Sequence, residues 1–323
     1  MSDSLHAVPS IAETAPETAF AKDLLAALAQ TPRSIAPKYF YDQEGSRLFD
    51  QICELPEYYP TRTELAILQD RASEIAVQMG ANAELVEFGA GSLTKVRLLL
   101  DAMQTPSRYV PIDISGEHLA AAARALKADY PLLDVVPVVA DYTQTFTLPH
   151  SAPGSGQRVG FFPGSTVGNF TPAEAVDFFR MAANVLRGGA LLVGADLIKD
   201  PGVLHAAYSD AQGVTAAFNL NLLARANHEL GADFDLAQWA HSAFYNAPLQ
   251  RIEMHLMSCV RQSVRVQGQV FSFEEGETLH TENSYKFTVA SLRALAVAGG
   301  FTPGPVWTDA EKRFSLHWLQ APK

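Results

Sequence analysis

Apolar positions along the chain change their period several times, and each change marks an element. Phe20, Leu24, Leu25 and Leu28 recur at helical spacing until Thr31-Pro32 ends the run, and Leu65, Leu68, Ala72 and Ile75 predict a second amphipathic helix from Thr63 or Glu64 to about Met79. From Glu84 the pattern becomes an alternation of short apolar runs and helical segments. Residues 85–88, 109–112, 135–140, 159–162 and 190–194 read as strands, with a helix capped by Ser115 running to Tyr130 between the second and third. After the fourth, Thr171 as N-cap, Pro172 in the first helical position and Glu174 in the third form a capping box, and that helix ends near Gly188-Gly189. Strands that are short, apolar on both faces and separated by helices require a parallel sheet covered on both sides, so the fold class is α/β, doubly wound and Rossmann-like.

Beyond residue 199 the alternation is interrupted. Residues 219–229 are helix-like, and GADFDLAQWA reads as a turn leading into another helix. Residues 251–266 read as one long strand, with Ile252, Met254, Leu256 and Ser258 on one face and Glu253, His255, Met257 and Cys259 on the other. Residues 271–277 and 279–284 read as an acidic loop turned at Gly276. A helix over 288–298 ends at Gly299-Gly300, and residues 313–319 form a last strand.

Composition narrows the field. The chain has 323 residues, is 48% hydrophobic and carries a formal charge of −11, which argues against a general nucleic-acid or anionic-membrane surface. Cys53 and Cys259 are its two cysteines, too few for a disulfide framework or a thiolate metal site. The first twenty residues lack a basic n-region and read as a loose tail, and no stretch is long enough to span a bilayer. The expectation is a soluble cytoplasmic protein.

Candidate chemistry concentrates where the first strand breaks into Gly89 and Gly91. Glycines there let backbone N–H groups approach a ligand at the positive end of the next helix. Thr94 stands where a dinucleotide fingerprint wants its third glycine, and the charge of Glu87 would repel a pyrophosphate, so an adenosyl ligand is favoured over NAD. Asp113, Asp141 and Asp196 each end a strand. Asp113 lies 22 residues beyond Gly91, where an acid can accept from both ribose hydroxyls; the ordinary reading is an Asx turn. Glu282 and Ser284 share one side of an extended segment and can receive a donor-bearing ring, though as isolated residues they read as capping groups. The aromatics Tyr39, Phe40, Tyr41, Tyr58 and Tyr59 either cover the core or form a lid. His118, His205, His228, His241, His255 and His280 lack metal-ligand spacing, so no metal is expected. FPGST is not a nucleophile elbow, and serine hydrolysis is rejected.

The strings PKYFYD, LPEYYPTR, VEFGAGSLTK, YVPIDIS, FFPGSTVGNF, GVTAAFNLNLL, RIEMHL and TENSYKF occur in the order found in one family. From Pro37 to the last strand the chain resembles the bacterial histidine-specific N-alpha-methyltransferases of ergothioneine biosynthesis. The resemblance implies a class I S-adenosylmethionine-dependent methyltransferase core with an added substrate-binding domain. It divides the chain into an N-terminal lid (18–60), a first part of the core (61–198), a mostly substrate-binding insertion that includes a core strand near 251–266 (199–284), and a C-terminal core helix and strand (285–323). It implies Gly89, Gly91 and Lys95 at the cofactor loop, Asp113 at the ribose, Asp141 and Tyr142 at the adenine, and Tyr41 as a cofactor contact from the lid. Gly164 and Asn169 are implied at the substrate amine, Tyr59 and Tyr208 at its carboxylate, Glu282 and Ser284 at its imidazole, and Met254 lining the same pocket. Tyr285 departs from the family, which carries a small residue there; facing the pocket, it would alter substrate size or affinity.

The implied reaction is methyl transfer to the alpha-nitrogen of free L-histidine, three times, by a monomer with no metal, nucleic-acid or membrane partner. Other readings are an N-methyltransferase for another aromatic amino acid or a thiolated histidine, an adenosyl-ligand sensor without turnover, and an NAD-dependent oxidoreductase.

Overall fold

The alternating segments assemble into an eight-stranded sheet in a computed structural model that describes residues 18–91, 93–144 and 146–323. Most of the loose tail expected at the N-terminus lies outside the described residues. Across the sheet the order is Thr302–Thr308, Phe314–Gln320, Ala190–Asp196, Arg158–Phe162, Glu84–Phe88, Arg108–Asp113 and Asp134–Val135, with Val138–Val139 also pairing to Arg108–Asp113. Phe314–Gln320 is antiparallel to both its neighbours, whereas the pairings from Ala190–Asp196 to Asp134–Val135 are parallel. Glu84–Phe88 pairs with Arg108–Asp113 on one side and Arg158–Phe162 on the other, so the chain winds outward in both directions from this strand. Ligands bind such sheets beyond the carboxyl ends of the strands at that reversal.

Strand alternation sorts the core into two layers. Leu85, Tyr109, Val159, Phe161 and Leu192 face one layer, and Val86, Phe88, Val110, Ile112 and Phe162 face the other. The predicted strand over 135–140 is split into two-residue pieces around Val136-Pro137, because proline has no N–H for the ladder. Two strand acids are buried. Glu84 is held by Arg158 at 2.8 Å, and Glu87 accepts from the Tyr109 hydroxyl. Burial pushes the Glu87 carboxyl up to about 8, so it is mostly protonated at neutral pH, and the expectation that its charge repels a pyrophosphate is not upheld.

A second sheet of four strands runs in the order Arg33–Ser34, Thr278–Tyr285, Arg251–Ser258 and Trp239–Asn246, with a hairpin of Gln262–Val266 and Gln269–Phe273 beside it. Three readings are corrected here. GADFDLAQWA leads through a 3₁₀ turn, Leu236–Gln238, into a strand and not a helix. The long core strand expected near 251–266 is two strands, Arg251–Ser258 and Gln262–Val266, both outside the eight-stranded sheet. Period-two alternation reports a half-buried strand but not which strand it pairs with. The acidic loop expected over 271–284 is two strands joined by a short turn in which Gly276 takes φ +82°.

One hydrophobic core joins this second sheet to the helices Ala19–Ala29, Gln43–Glu54, Pro201–Tyr208 and Val214–Leu230. Leu24, Ile52, Leu204, Leu222, Leu256 and Leu279 all belong to it. The N-terminal segment and the stretch after residue 199 therefore depend on each other for burial. The helix Tyr59–Met79 starts earlier than its spacing predicts, since Pro60 is tolerated in a first turn.

Candidate active site

The glycine turn ends the central strand. Gly89 has φ +77°, and its N–H and that of Ala90 donate to the Ile112 carbonyl, which ties the turn to the neighbouring strand. A Cβ on Gly89 would sit 3.5 Å from the Tyr142 hydroxyl, whereas one on Gly91 would meet nothing within 4 Å, leaving open room at the strand end. Asp113 accepts from the Ser115 N–H at 2.8 Å, the Asx turn of its ordinary reading. Asp141 accepts from the Thr143 N–H and hydroxyl and from Lys38 Nζ at 3.0 Å. Tyr142 packs against Phe88, Phe162 and Phe178. Gly89, Asp113 and Tyr142 thus meet at the carboxyl ends of adjacent strands.

A second turn follows Arg158–Phe162. Gly164 takes φ +75° and Ser165 φ +58°, and residues Thr166–Asn169 make a 3₁₀ turn that carries Asn169. Gly168 lies so close to the second sheet that a Cβ there would be 2.8 Å from the Tyr285 carbonyl oxygen. Glu64, fully buried on the long N-terminal helix, accepts the Gly164 N–H at 2.9 Å and Lys95 Nζ at 2.6 Å. Lys95 is therefore bound to an acid that the sequence reading did not single out.

Third, a small cavity opens between the N-terminal helices and the second sheet. Phe49, Tyr58, Tyr208, Phe218, Met254 and Glu282 line it. Tyr208 ends one helix, Met254 and Glu282 are register partners on adjacent strands, and the Tyr208 hydroxyl lies 2.6 Å from Ser284 Oγ. Tyr41 packs edge-on against Phe49 and Phe218. Burial, and then the neighbouring Glu282 carboxylate, push the Tyr41 phenol well above its ordinary range. Burial raises Glu282 to about 7, against a lowering by Lys286.

Tyr59 faces a charged cluster. Its hydroxyl donates to Asp196 Oδ2 at 2.6 Å and accepts from Lys199 Nζ at 2.7 Å. Lys286 reaches the same Asp196 oxygen at 3.0 Å and Ser284 Oγ at 2.7 Å. Burial, followed by Asp196, lifts the Tyr59 phenol far above its ordinary value, so it stays protonated and cannot serve as a base. Tyr59, Tyr208, Ser284, Glu282 and Met254 are thus brought together, with Gly164 and Asn169 on the adjoining turn.

Sequence reasoning missed Glu64, Lys199 and Lys286, whereas Tyr58, one of the aromatics of the lid reading, does line the cavity. Lysine next to an aromatic strand end carries no local signal for burial, although Lys286 lies inside the TENSYKF string. Tyr285 is turned away: strand alternation sets it opposite Ser284, and its hydroxyl accepts from Arg251 at 2.7 Å. The expectation that it could narrow the pocket is corrected. Among the described residues, Glu253, His255 and His280 are close enough to suggest a metal. The two imidazoles are stacked at 4.6 Å and 16°, so their lone pairs lie in separate, nearly parallel planes, and Glu253 is already paired with Arg251 at 2.7 Å.

The family model described as histidine-specific methyltransferase, SAM-dependent, matches residues 20–321. The chain is 44% identical over 305 residues to a histidine N-alpha-methyltransferase of Mycolicibacterium smegmatis, covering 92% of this chain and 94% of that protein. A histidine N-alpha-methyltransferase of Mycobacterium tuberculosis is 42% identical over 312 residues, covering 95% and 96% respectively. A solved structure of a possible exported protein from Bordetella parapertussis superposes with a TM-score of 0.50 at 14% identity, covering 94% of this chain and 87% of that one, a likeness of fold alone.

Proposed function

We infer the reaction from one premise: the chain belongs to the family of histidine-specific, S-adenosylmethionine-dependent methyltransferases. It is an S-adenosylmethionine-dependent enzyme of the class I fold and transfers methyl groups to the alpha-amino nitrogen of L-histidine, a step of ergothioneine biosynthesis. The observation that carries the substrate reading is the cavity of Tyr208, Met254 and Glu282, whose strand Thr278–Tyr285 packs on the turn bearing Asn169.

The residues present fit the cofactor. The open side of Gly91, the strand-end acid Asp113 and the aromatic side of Tyr142 offer room, ribose acceptors and a stacking surface, so Gly89, Gly91, Asp113, Asp141 and Tyr142 would hold it, with Tyr41 closing from the lid. Lys95 completes that set through its salt bridge to Glu64. S-adenosylmethionine supplies an electrophilic sulfonium methyl when bound, so the protein's task is alignment. Asn169 and the Gly164 turn orient the amine, which must be neutral to offer a lone pair. The Tyr208 hydroxyl serves as a donor to the carboxylate, and Tyr59, whose own proton goes to Asp196, brings the Lys199 ammonium to the same end of the pocket. Glu282 accepts the imidazole N–H beside Ser284, and Met254 packs on the ring. A substrate without that N–H leaves a buried acid unpaired, which favours histidine over apolar rings.

Three successive transfers, to the trimethylated product, complete the proposal, in a cytoplasmic monomer; the net charge of −11 and two free cysteines support that setting. The deciding experiment incubates purified protein with S-adenosylmethionine and each of the twenty amino acids and follows mass. Gains of one, two and three methyls on histidine alone are expected. Preferred gain on tryptophan, or cofactor binding without turnover on any amino acid, would overturn the reading.

A further inference from the structure

The roles above use the hydroxyls of Tyr208 and Ser284 and leave out the charge behind them. Lys286 is 2% exposed, and its Nζ donates to Ser284 Oγ at 2.7 Å and Tyr208 Oη at 3.1 Å and pairs with Asp196 Oδ2 at 3.0 Å. These partners use all three of its N–H groups. Lys199 is engaged in the same way by Tyr59 Oη at 2.7 Å, Asp196 Oδ1 at 2.5 Å and the Leu197 carbonyl. One buried and one partly buried ammonium group therefore converge on one carboxylate.

Asp196 is the carboxylate bonded directly to both ammonium groups. Burying a cation is costly unless it is paired, and a second negative group arriving at the phenols would offset that cost. The other acids that act on the cluster are Glu282, which senses Lys286, and Asp309, which senses Lys199. Burial holds Glu282 close to half-protonated at neutral pH, so it compensates incompletely. Burial likewise pulls Lys199 down to about 8, against the pull of Asp196. Burial also works against charge on Lys286, but its bonds to Tyr208 and Asp196 more than offset this and hold it above the usual lysine range.

The protons can be counted. Tyr208 Oη and Ser284 Oγ both accept from Lys286 and lie 2.6 Å apart, so one hydroxyl proton fills the bond between them and the other is left for a ligand. Lys286 thereby turns two hydroxyls from different elements into a single oriented donor, while Asp196 and Lys199 extend the same lattice to Tyr59.

We propose that Lys286 is a positioning residue for the substrate's alpha-carboxylate: by holding Ser284 as the donor to Tyr208 it leaves the Tyr208 proton for that carboxylate, supplies with Lys199 the positive charge that anion balances, and so makes the pocket select amino acids over uncharged amides. This rests on the reading that Tyr208 contacts the carboxylate. Kinetics with L-histidine and L-histidinamide, which keeps the amine and the ring, test both. Wild type should prefer histidine. Lys286→Met should raise KM for histidine about tenfold or more with a smaller change in kcat, leave histidinamide nearly unchanged, and so shrink the preference by about the same factor. Lys286→Arg, which keeps the charge, should retain most of the preference.

An equal loss on both substrates in Lys286→Met would mark a merely structural role and overturn the proposal. A wild type indifferent to the carboxylate would instead sink the reading on which the proposal rests. Asp196→Asn combined with Lys286→Met removes the buried pair together and guards against misfolding of the single variant. With fold and cofactor binding checked by melting and calorimetry, a preference left intact in that double variant would also overturn the proposal.

Discussion

The carboxylate of Glu64 lies 2.9 Å from the amide nitrogen of Gly164, a contact between a helix and a turn 100 residues apart. The same carboxylate holds Lys95 at 2.6 Å, so one buried acid fixes the turn next to Asn169 and the lysine that follows the glycine turn together. Removing it leaves a partly buried ammonium and the Gly164 N–H without their partner. Glu64→Ala should lower the unfolding free energy by about 3–5 kcal/mol, and Glu64→Gln, which still accepts from Gly164, by less. Urea denaturation measures both, and an unchanged midpoint for the alanine variant would contradict the assignment.

In the proposed reading Glu282, which lines the cavity beside Met254, accepts the N–H of the substrate ring. Glu282→Ala should raise KM for histidine by about 10- to 100-fold. Affinity for S-adenosylmethionine should stay within about threefold, because no cofactor contact is removed. Calorimetry with each ligand separates the two, and equal weakening of both would count against the role.

The same carboxyl sets a pH dependence of stability. Burial raises it from 4.5 to about 7, so the ligand-free folded state binds its proton more tightly than the unfolded chain does. Its stabilising contribution is full below about pH 4.5 and is lost as pH rises to about 7, a change on the order of 1–3 kcal/mol. Glu282→Gln has no such proton. Melting curves of the two proteins should therefore shift in favour of the variant between pH 5 and 8, and a constant difference across that range would refute the raised value.

Tyr285 is tied to Arg251 on the face of its strand opposite Ser284. Tyr285→Phe should cost about 0.5–1.5 kcal/mol of stability for the lost hydrogen bond. Its KM for histidine should remain within about twofold of wild type. A large KM change with unaltered stability would mean that the ring does reach the pocket.

Gly168 tests how tightly the turn bearing Asn169 must lie on the second sheet. A Cβ there would be 2.8 Å from the Tyr285 oxygen and 3.2 Å from its nitrogen, backbone atoms that cannot step aside. Gly168→Ala should displace Asn169 and lower kcat by about tenfold or more, since small misplacements of reacting groups carry large penalties. Full activity in a normally folded variant would show that the turn has slack.

The sequence by itself determined the doubly wound sheet, the glycine turn with its strand-end acids, and the capping box at Thr171. These are local: period, turn chemistry and caps are written within a few residues of where they act. It could not assign residues 251–266 to a sheet, because alternation gives a face but no partner. Nor did it single out Lys286, whose burial exists only because residues 196, 208 and 284 close around it. Tertiary structure decided that Tyr59, Asp196, Lys286 and Tyr208 form one charged cluster behind the pocket. Burial of charge is a property of groups meeting from distant parts of the chain, and a one-dimensional pattern does not carry it.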